Sequence, residues 1–250
     1  MFHLLRKKDL YCITTGFPES DQMFYGGSVM TEIEAIRSRH SVRAYQNRKI
    51  EKEKVDRIRT LIREVNEEGN LHLQLVEDAG RTFNRLLSKA MGLGSAPSVI
   101  ACVGPDDGTL ENRVGYYGEK VVLAAQCMGL NTCWAGTFNK NGVPAEIRTG
   151  ERLVIVIAIG YGENQGKSKT LGQVSKTPGE RPDWFDFGVE MALLAPTAIN
   201  QQSFEIRLNE DNSVDFTDKG GPFSKVDLGI VKYNFTVGAN FRKNGGKEHE

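Results

Sequence analysis

The stretch ALLAPTAINQQSFEI, Ala192–Ile206, carries an apolar helical run up to Ala195-Pro196 and begins an alternating strand at Ser203. Proline cannot continue the helix, and it pushes the residue before it towards extended backbone. Between the two elements stand three amides, Asn200, Gln201 and Gln202. Amides carry both donors and acceptors, so three together suit a ligand with many hydrogen-bonding edges better than a plain surface loop. The concentrated cationic stretch, RSRHSVR (Arg37–Arg43), lies in the opposite half of the chain. A ligand that needs both must bring distant parts of the sequence together.

Around that stretch the chain reads as an α+β protein. Helical periodicity runs through EKVDRIRTLIREV, with Val55, Ile58, Leu61, Ile62 and Val65 on one face. Gly69-Asn70 breaks it, and LHLQLV (71–76) alternates as a strand. A short helix is expected over 83–89, then a strand in PSVIACV (97–103). A long helix follows over 111–128, with Gly129 as its stop. LVIVIAIGY (153–161) is too short to span a bilayer and reads as a buried strand. The remaining signals are a helix in DWFDFGVEMALLA, strands in SFEIRL and VDFTDKG, and a last helix in FSKVDLGIVKYNFTVGA. Helices with short strands between them imply a mainly antiparallel or mixed sheet.

The chain has 250 residues, enough for one large domain or two small ones. Lys plus Arg and Asp plus Glu each number 32, so the net charge is zero. That balance argues against nucleic acid or an anionic membrane as partner. Cys12, Cys102, Cys127 and Cys133 form no C-x-x-C pair and have no His at ligand spacing, so no metal site is expected. Cys102 and Cys127 lie in apolar runs and read as buried thiols of a cytoplasmic protein. Thr31 and Glu34 form a capping box ahead of Ile33 and Ile36, so the fold is expected to start at Met30. Residues 1–29 lack the order of a secretory signal and read as a mis-annotated leader or disordered tail.

The element order repeats. Helix, Asn-containing loop, strand and later helix occur around Lys54–Val65, Asn70, Leu71–Val76 and YYGEKVVLAA. They occur again around Phe185–Leu194, Asn200, Ser203–Leu208 and VDLGIVKYNF, which sets Gly118 opposite Gly229. The division expected is a first half over 30–165, a linker or crossover over 166–182, a second half over 183–240 and a disordered tail over 241–250. Two such halves can build in one chain what a homodimer builds with true symmetry.

Within the cationic stretch, Arg39 and Arg43 flank His40 and Ser41 just beyond a helix end. Guanidinium forks match phosphate oxygens bidentately, and Ser adds a neutral donor. Lys167 and Lys169 form a second basic pair in a Gly-rich stretch. GLGSAP does not follow a strand, so a dinucleotide fingerprint is not supported. No side chain stands out as an obligate acid, base or nucleophile.

IRSRHSVRAY (36–45) resembles the flavin-phosphate arm of the nitroreductase family, and GYYGEKVVLAAQCMGLNTCWAGTF (115–138) resembles its central helix and flavin-edge loop. ALLAPTAINQQSFEI is similar to the family's A-P-S-x-x-N-x-Q-P-W motif, here with Ser203-Phe204 in place of Pro-Trp. The motif sits in the second half rather than a few dozen residues after the arm. With DLGIVKYNF (227–235), it resembles a branch of nitroreductases in which one chain imitates the dimer.

The resemblance implies a nitroreductase-like fold of two pseudo-symmetric halves with one FMN between them. The first half would give Arg39, His40, Ser41 and Arg43, with Trp134, Ala135, Gly136 and Thr137 along the flavin edge. A backbone N–H near Gly136 or Thr137 would face N5. Lys167 and Lys169 stand where family members use Lys-x-Arg on the phosphate. The second half would give Pro196, Thr197, Ala198, Asn200 and Gln202. It has no basic arm before Phe185, and VNEEGNLHLQL (65–75) of the first half has no Ala-Pro, so only one site is complete. The activity implied is ping-pong transfer of hydride from NAD(P)H through FMN to a small aromatic acceptor, nitroaromatic or quinone. The chain would be a monomer by internal pseudo-dimer or a weak homodimer. Two alternatives are an FMN store or redox sensor without a reductase role, and other flavin chemistry such as azoline dehydrogenation or dehalogenation.

Overall fold

The computed structural model describes residues 30–79, 81–83, 93, 96–169 and 181–247. The elements in order are α1 (Glu32–Ser38), α2 (Lys52–Gly69), β1 (Gln74–Val76), β2 (Ser98–Pro105), α3 (Leu110–Cys127), β3 (Asn131–Ala135), β4 (Glu151–Gly160), α4 (Asp183–Leu193), β5 (Phe204–Leu208), β6 (Val214–Asp218) and α5 (Ser224–Lys243). The capping box forms: Thr31 Oγ1 accepts from the Glu34 N–H at 3.3 Å, and the Thr31 N–H donates to Glu34 Oε2 at 2.7 Å. Asn70 closes α2 in the left-handed region, and Gly129, at φ +72, follows the end of α3.

Four strands form an antiparallel sheet in the order β1-β2-β4-β3, and β5 and β6 pair separately as a hairpin. Period-two alternation sorts the buried strand residues between two cores. Ile100, Cys102, Ile155, Ile157 and Ile159 join the stripe of α2, α3 and the second-half helices. Val99, Ala101, Val103, Val156 and Ala158 face the opposite side with Val42 and Tyr45. Cys102 and Cys133 are free thiols and buried, whereas Cys127, expected as a buried thiol, is half-buried and disulfide-bonded.

The two halves meet where α3 crosses α5. A Cβ on Gly115 would lie 2.0 Å from the Val226 carbonyl oxygen, and one on Gly229 would lie 2.2 Å from that of Asn112. Only glycine lets the backbones approach this closely. The contact joins Gly115 to Val226, which lie three residues before the corresponding glycines Gly118 and Gly229 of the repeated element order. Gly118 itself faces Trp134, with the ring 2.5 Å from a built Cβ. The halves are also unequal, since the four-stranded sheet belongs wholly to the first, and the second supplies helices and a hairpin.

Three sequence expectations are corrected or curtailed. The strand expected over 71–76 is confined to Gln74–Val76, because Asn66 holds Leu73 from the side: its Oδ1 accepts the Leu73 N–H at 2.7 Å and its Nδ2 donates to the Leu73 carbonyl at 3.0 Å. The tail expected from 241 begins later, because α5 continues to Lys243 with Phe241 packed on Phe187. Most of the helix expected over 83–89 and of the crossover over 166–182 lies outside the described residues, as do residues 1–29 and Cys12.

Candidate active site

Beyond Ser38 the chain leaves the helix in extended form and runs beside β3. The Val42 N–H donates to the Thr132 carbonyl at 3.0 Å, and the Gln46 N–H to that of Tyr161 at 2.8 Å. Alternation buries Val42 and leaves Ser41 and Arg43 on the other side, and Tyr45 is buried further along the arm. Gly166, at φ +76, crosses so close behind the arm that a Cβ there would lie 2.8 Å from the Cβ of His40.

The amide loop leaves α4 at Ala195-Pro196 and is held from α5. Asp227 accepts the Ala198 N–H on both carboxylate oxygens, at 3.0 and 3.1 Å, and the Gln201 Nε2 at 2.8 Å. The Gln202 N–H donates to Thr197 Oγ1 at 3.1 Å. This anchoring keeps an unfavourable backbone in place. Ile199, Asn200 and Gln202 have φ of 47, 57 and 46°, and a β-branched residue there is a true outlier. Burial raises Asp227 to about 6, although the bonds from Gln201 and Ala198 oppose the rise.

Arm and loop face one another across a cleft of about 650 Å³. One wall carries Arg39, His40, Ser41 and Arg43, a second Lys167 and Lys169, and the third Pro196, Thr197 and Asn200. Sequence reading missed Ile36, Asn164, Gly166 and Leu194, which also line it. A smaller cavity of about 100 Å³ adjoins through shared residues Ser41, Arg43, Pro196 and Thr197, and brings in Trp134, Gly136 and Ala198. Three predicted residues line neither. Ala135 is fully buried, because alternation along β3 turns it to the core opposite Trp134. Thr137 is exposed, and Gln202 turns back to donate to Asn200 Oδ1 at 2.9 Å. Gly136 is covered: a Cβ there would lie 2.3 Å from the ring of Phe223, a residue at φ +57 that the sequence did not single out.

Arg39, Arg43, Lys167 and Lys169 line the large cleft with Arg37, and among the described residues no carboxylate does. Arg39 is 5% exposed and its Nη1 has no hydrogen-bond partner. A buried, unbonded guanidinium is costly unless an anion meets it. Its pKa is lowered by burial, against the field of Glu119. The Lys169 Nζ donates to the Ala195 carbonyl, which ties the basic segment to the amide loop. Burial first, and the Arg39 charge second, bring Lys169 down to about 8. Burial and Arg39 likewise lower His40. The donor set therefore suits a phosphomonoester at Arg39, Ser41 and Lys169, with polar edges read by Asn200. Among the described residues no His, Cys, Asp and Glu group could hold a metal, and no helix is long and apolar enough to cross a membrane.

The profile of the family described as "Putative TM nitroreductase" matches residues 32–239. The crystal structure of a "putative nitroreductase" from Thermotoga maritima superposes over 92% of this chain and 95% of its own, with TM-score 0.65 and 22% identity. An FMN-dependent nitroreductase from Clostridium difficile overlaps 55% of this chain and 91% of its own, with TM-score 0.45 and 20% identity. No curated protein matches the sequence.

Proposed function

The chain belongs to the TM nitroreductase family, and from that premise we propose that it is an FMN-dependent oxidoreductase with one composite site per chain. One observation carries the reading: a buried guanidinium without a partner, Arg39, opens onto the cleft that joins the arm, the Lys167–Lys169 segment and the amide loop. These are the residue types that fit the phosphate and the polar ring edge of FMN. When bound, FMN supplies hydride transfer between NAD(P)H and a planar, electron-poor acceptor, nitroaromatic or quinone, in a ping-pong cycle.

The chain's own residues bind and orient. Arg39, Ser41 and Lys169 hold the phosphate, with Lys167 and Arg43 at the mouth. Asn200 faces the ring edge on a loop that Asp227 fixes. Trp134 and Gly136 form the edge wall, and a flavin edge reaches the Gly136 backbone only if the Phe223 ring that covers it turns aside. The α3–α5 crossing supports an internal pseudo-dimer, because it joins the helices that carry the corresponding motifs. A single chain then suffices for the site, and the protein is a monomer or a weak homodimer.

A second reading has its own support. The cavity beside Gly136, about 100 Å³, is well below the roughly 300–1,000 Å³ of ordinary ligand pockets, and Phe223 occupies its rim. A protein that binds FMN but admits no second substrate would look this way. Released flavin per chain tests the first reading: about one FMN, bleached by NADH or NADPH, is expected, and no flavin after reconstitution refutes it. Steady-state NAD(P)H oxidation with a quinone or nitroarene separates a reductase from a store or sensor.

A further inference from the structure

Behind the cleft, and lining neither cavity, lies Glu119 on α3, which is fully buried. Its Oε2 accepts the Trp134 indole N–H at 3.0 Å, and its Oε1 has no partner. The same wall therefore holds two unsatisfied buried charged groups of opposite sign, Glu119 and Arg39. The two attract each other, yet no hydrogen bond joins them, and each keeps a buried polar atom without a hydrogen-bond partner. The groups that face Glu119 are Arg39 from the arm, Lys169 from the basic segment and Trp134 from β3. Tyr233 of α5 also feels its charge, and is itself hydrogen-bonded to Glu32 of α1.

We propose that Glu119 is a positioning residue that shares Arg39 with the anion bound in the cleft, and that it takes up a proton when a phosphomonoester arrives. In the empty cleft the carboxylate is the counter-charge of Arg39 and Lys169. A phosphate dianion takes over that role, and a carboxylate behind it would then repel it. One proton from solvent neutralises Glu119 and leaves Arg39 and Lys169 to the phosphate, with Arg43 and Lys167 at the mouth. Trp134 stays bonded to either form, so the edge wall does not move with the exchange. Burial already raises Glu119 to about 7, so the proton is available near neutrality. The inference rests on the FMN reading above and names what regulates its phosphate subsite.

The test uses full-length apoprotein, FMN and riboflavin as probes, and calorimetry in two buffers of different ionisation enthalpy. At about pH 7.5, wild type should take up most of one proton more per FMN than E119Q, because one linked proton is the limit Glu119 can contribute. Lys169 adds uptake to both proteins, and more to E119Q, where it has lost the support of the Glu119 charge, so the difference read is a lower bound on the Glu119 share. From about pH 7 to about pH 8, wild-type affinity for FMN should weaken several-fold relative to E119Q, towards the tenfold per unit that one proton allows. Riboflavin, which lacks the phosphate, should show no such difference. Gln keeps the acceptor for Trp134, and the wild-type uptake is readable even if the variant misfolds. Equal uptake by both folded proteins overturns the proposal while leaving FMN binding intact. So does wild-type uptake near zero. Failure of wild type to bind FMN at all overturns both this inference and the reading beneath it.

Discussion

Substituting Gly115 by Ala should destabilise the protein through the crossing of α3 and α5. The new Cβ would sit 2.0 Å from the Val226 oxygen, 2.9 Å from its carbonyl carbon and 3.0 Å from the Gly229 Cα. All three are backbone atoms, so no side chain can turn away, and the helices must separate by about 1 Å to restore ordinary contact. Overpacking of this kind costs roughly 1–3 kcal/mol, and contact with backbone places it at the upper end. Ala in place of helical Gly returns about 1 kcal/mol. The net expectation is a loss of about 2 kcal/mol. G229A meets the Asn112 oxygen at 2.2 Å and should cost about the same. Because one separation relieves both clashes, the double variant should cost little more than either alone, well below the sum. Separation also shifts Val226 and with it the adjacent Asp227, which holds Ala198, so flavin retention should fall with stability. Urea unfolding followed by circular dichroism reads the first effect and released flavin the second. An unchanged midpoint for G115A, or strictly additive losses, would refute the account of the crossing.

Two further outcomes follow from the site. Asp227 titrates near about 6 in the folded protein against roughly 4 unfolded, so between these values the folded state holds the extra proton. Its stabilising share is present at low pH and disappears as pH rises through about 6, a loss on the order of 2 kcal/mol; D227N should flatten the fall in urea midpoint across that window, and an unaltered slope counts against the assignment. Ile199 is 89% exposed at φ 47, so its side chain contributes little burial while its backbone stores strain. I199G should therefore raise stability by some tenths up to about 1 kcal/mol despite glycine's greater unfolded-state entropy, and a lower melting temperature would sink that reading.

The readable features were those that local chemistry fixes. The stripe Val55–Val65 is buried as its spacing requires, the Thr31–Glu34 box closes, and the apolar run at Leu153 lies in the sheet interior. The arm and the amide loop, a cationic turn and an amide-rich turn each legible by composition alone, line one cleft. What escaped depends on partners remote in sequence. Asn66 shortens β1 because a side chain satisfies the backbone of Leu73, and no strand propensity records that competition. Asp227 looks like an ordinary acidic residue in the first turn of α5, yet it is the anchor that holds a left-handed Ile199. Glu119 follows a run of helix formers and tyrosines, and its meaning comes only from Arg39, 80 residues earlier, and Trp134 across the fold. Gly115 and Gly118 are equivalent to any pattern argument, since both interrupt the same helix. Tertiary packing decides that the first meets the backbone of α5 and the second the indole ring of β3. Element order can therefore align the two helices, but only packing shows that Gly115, and not Gly118, is the glycine that meets Gly229.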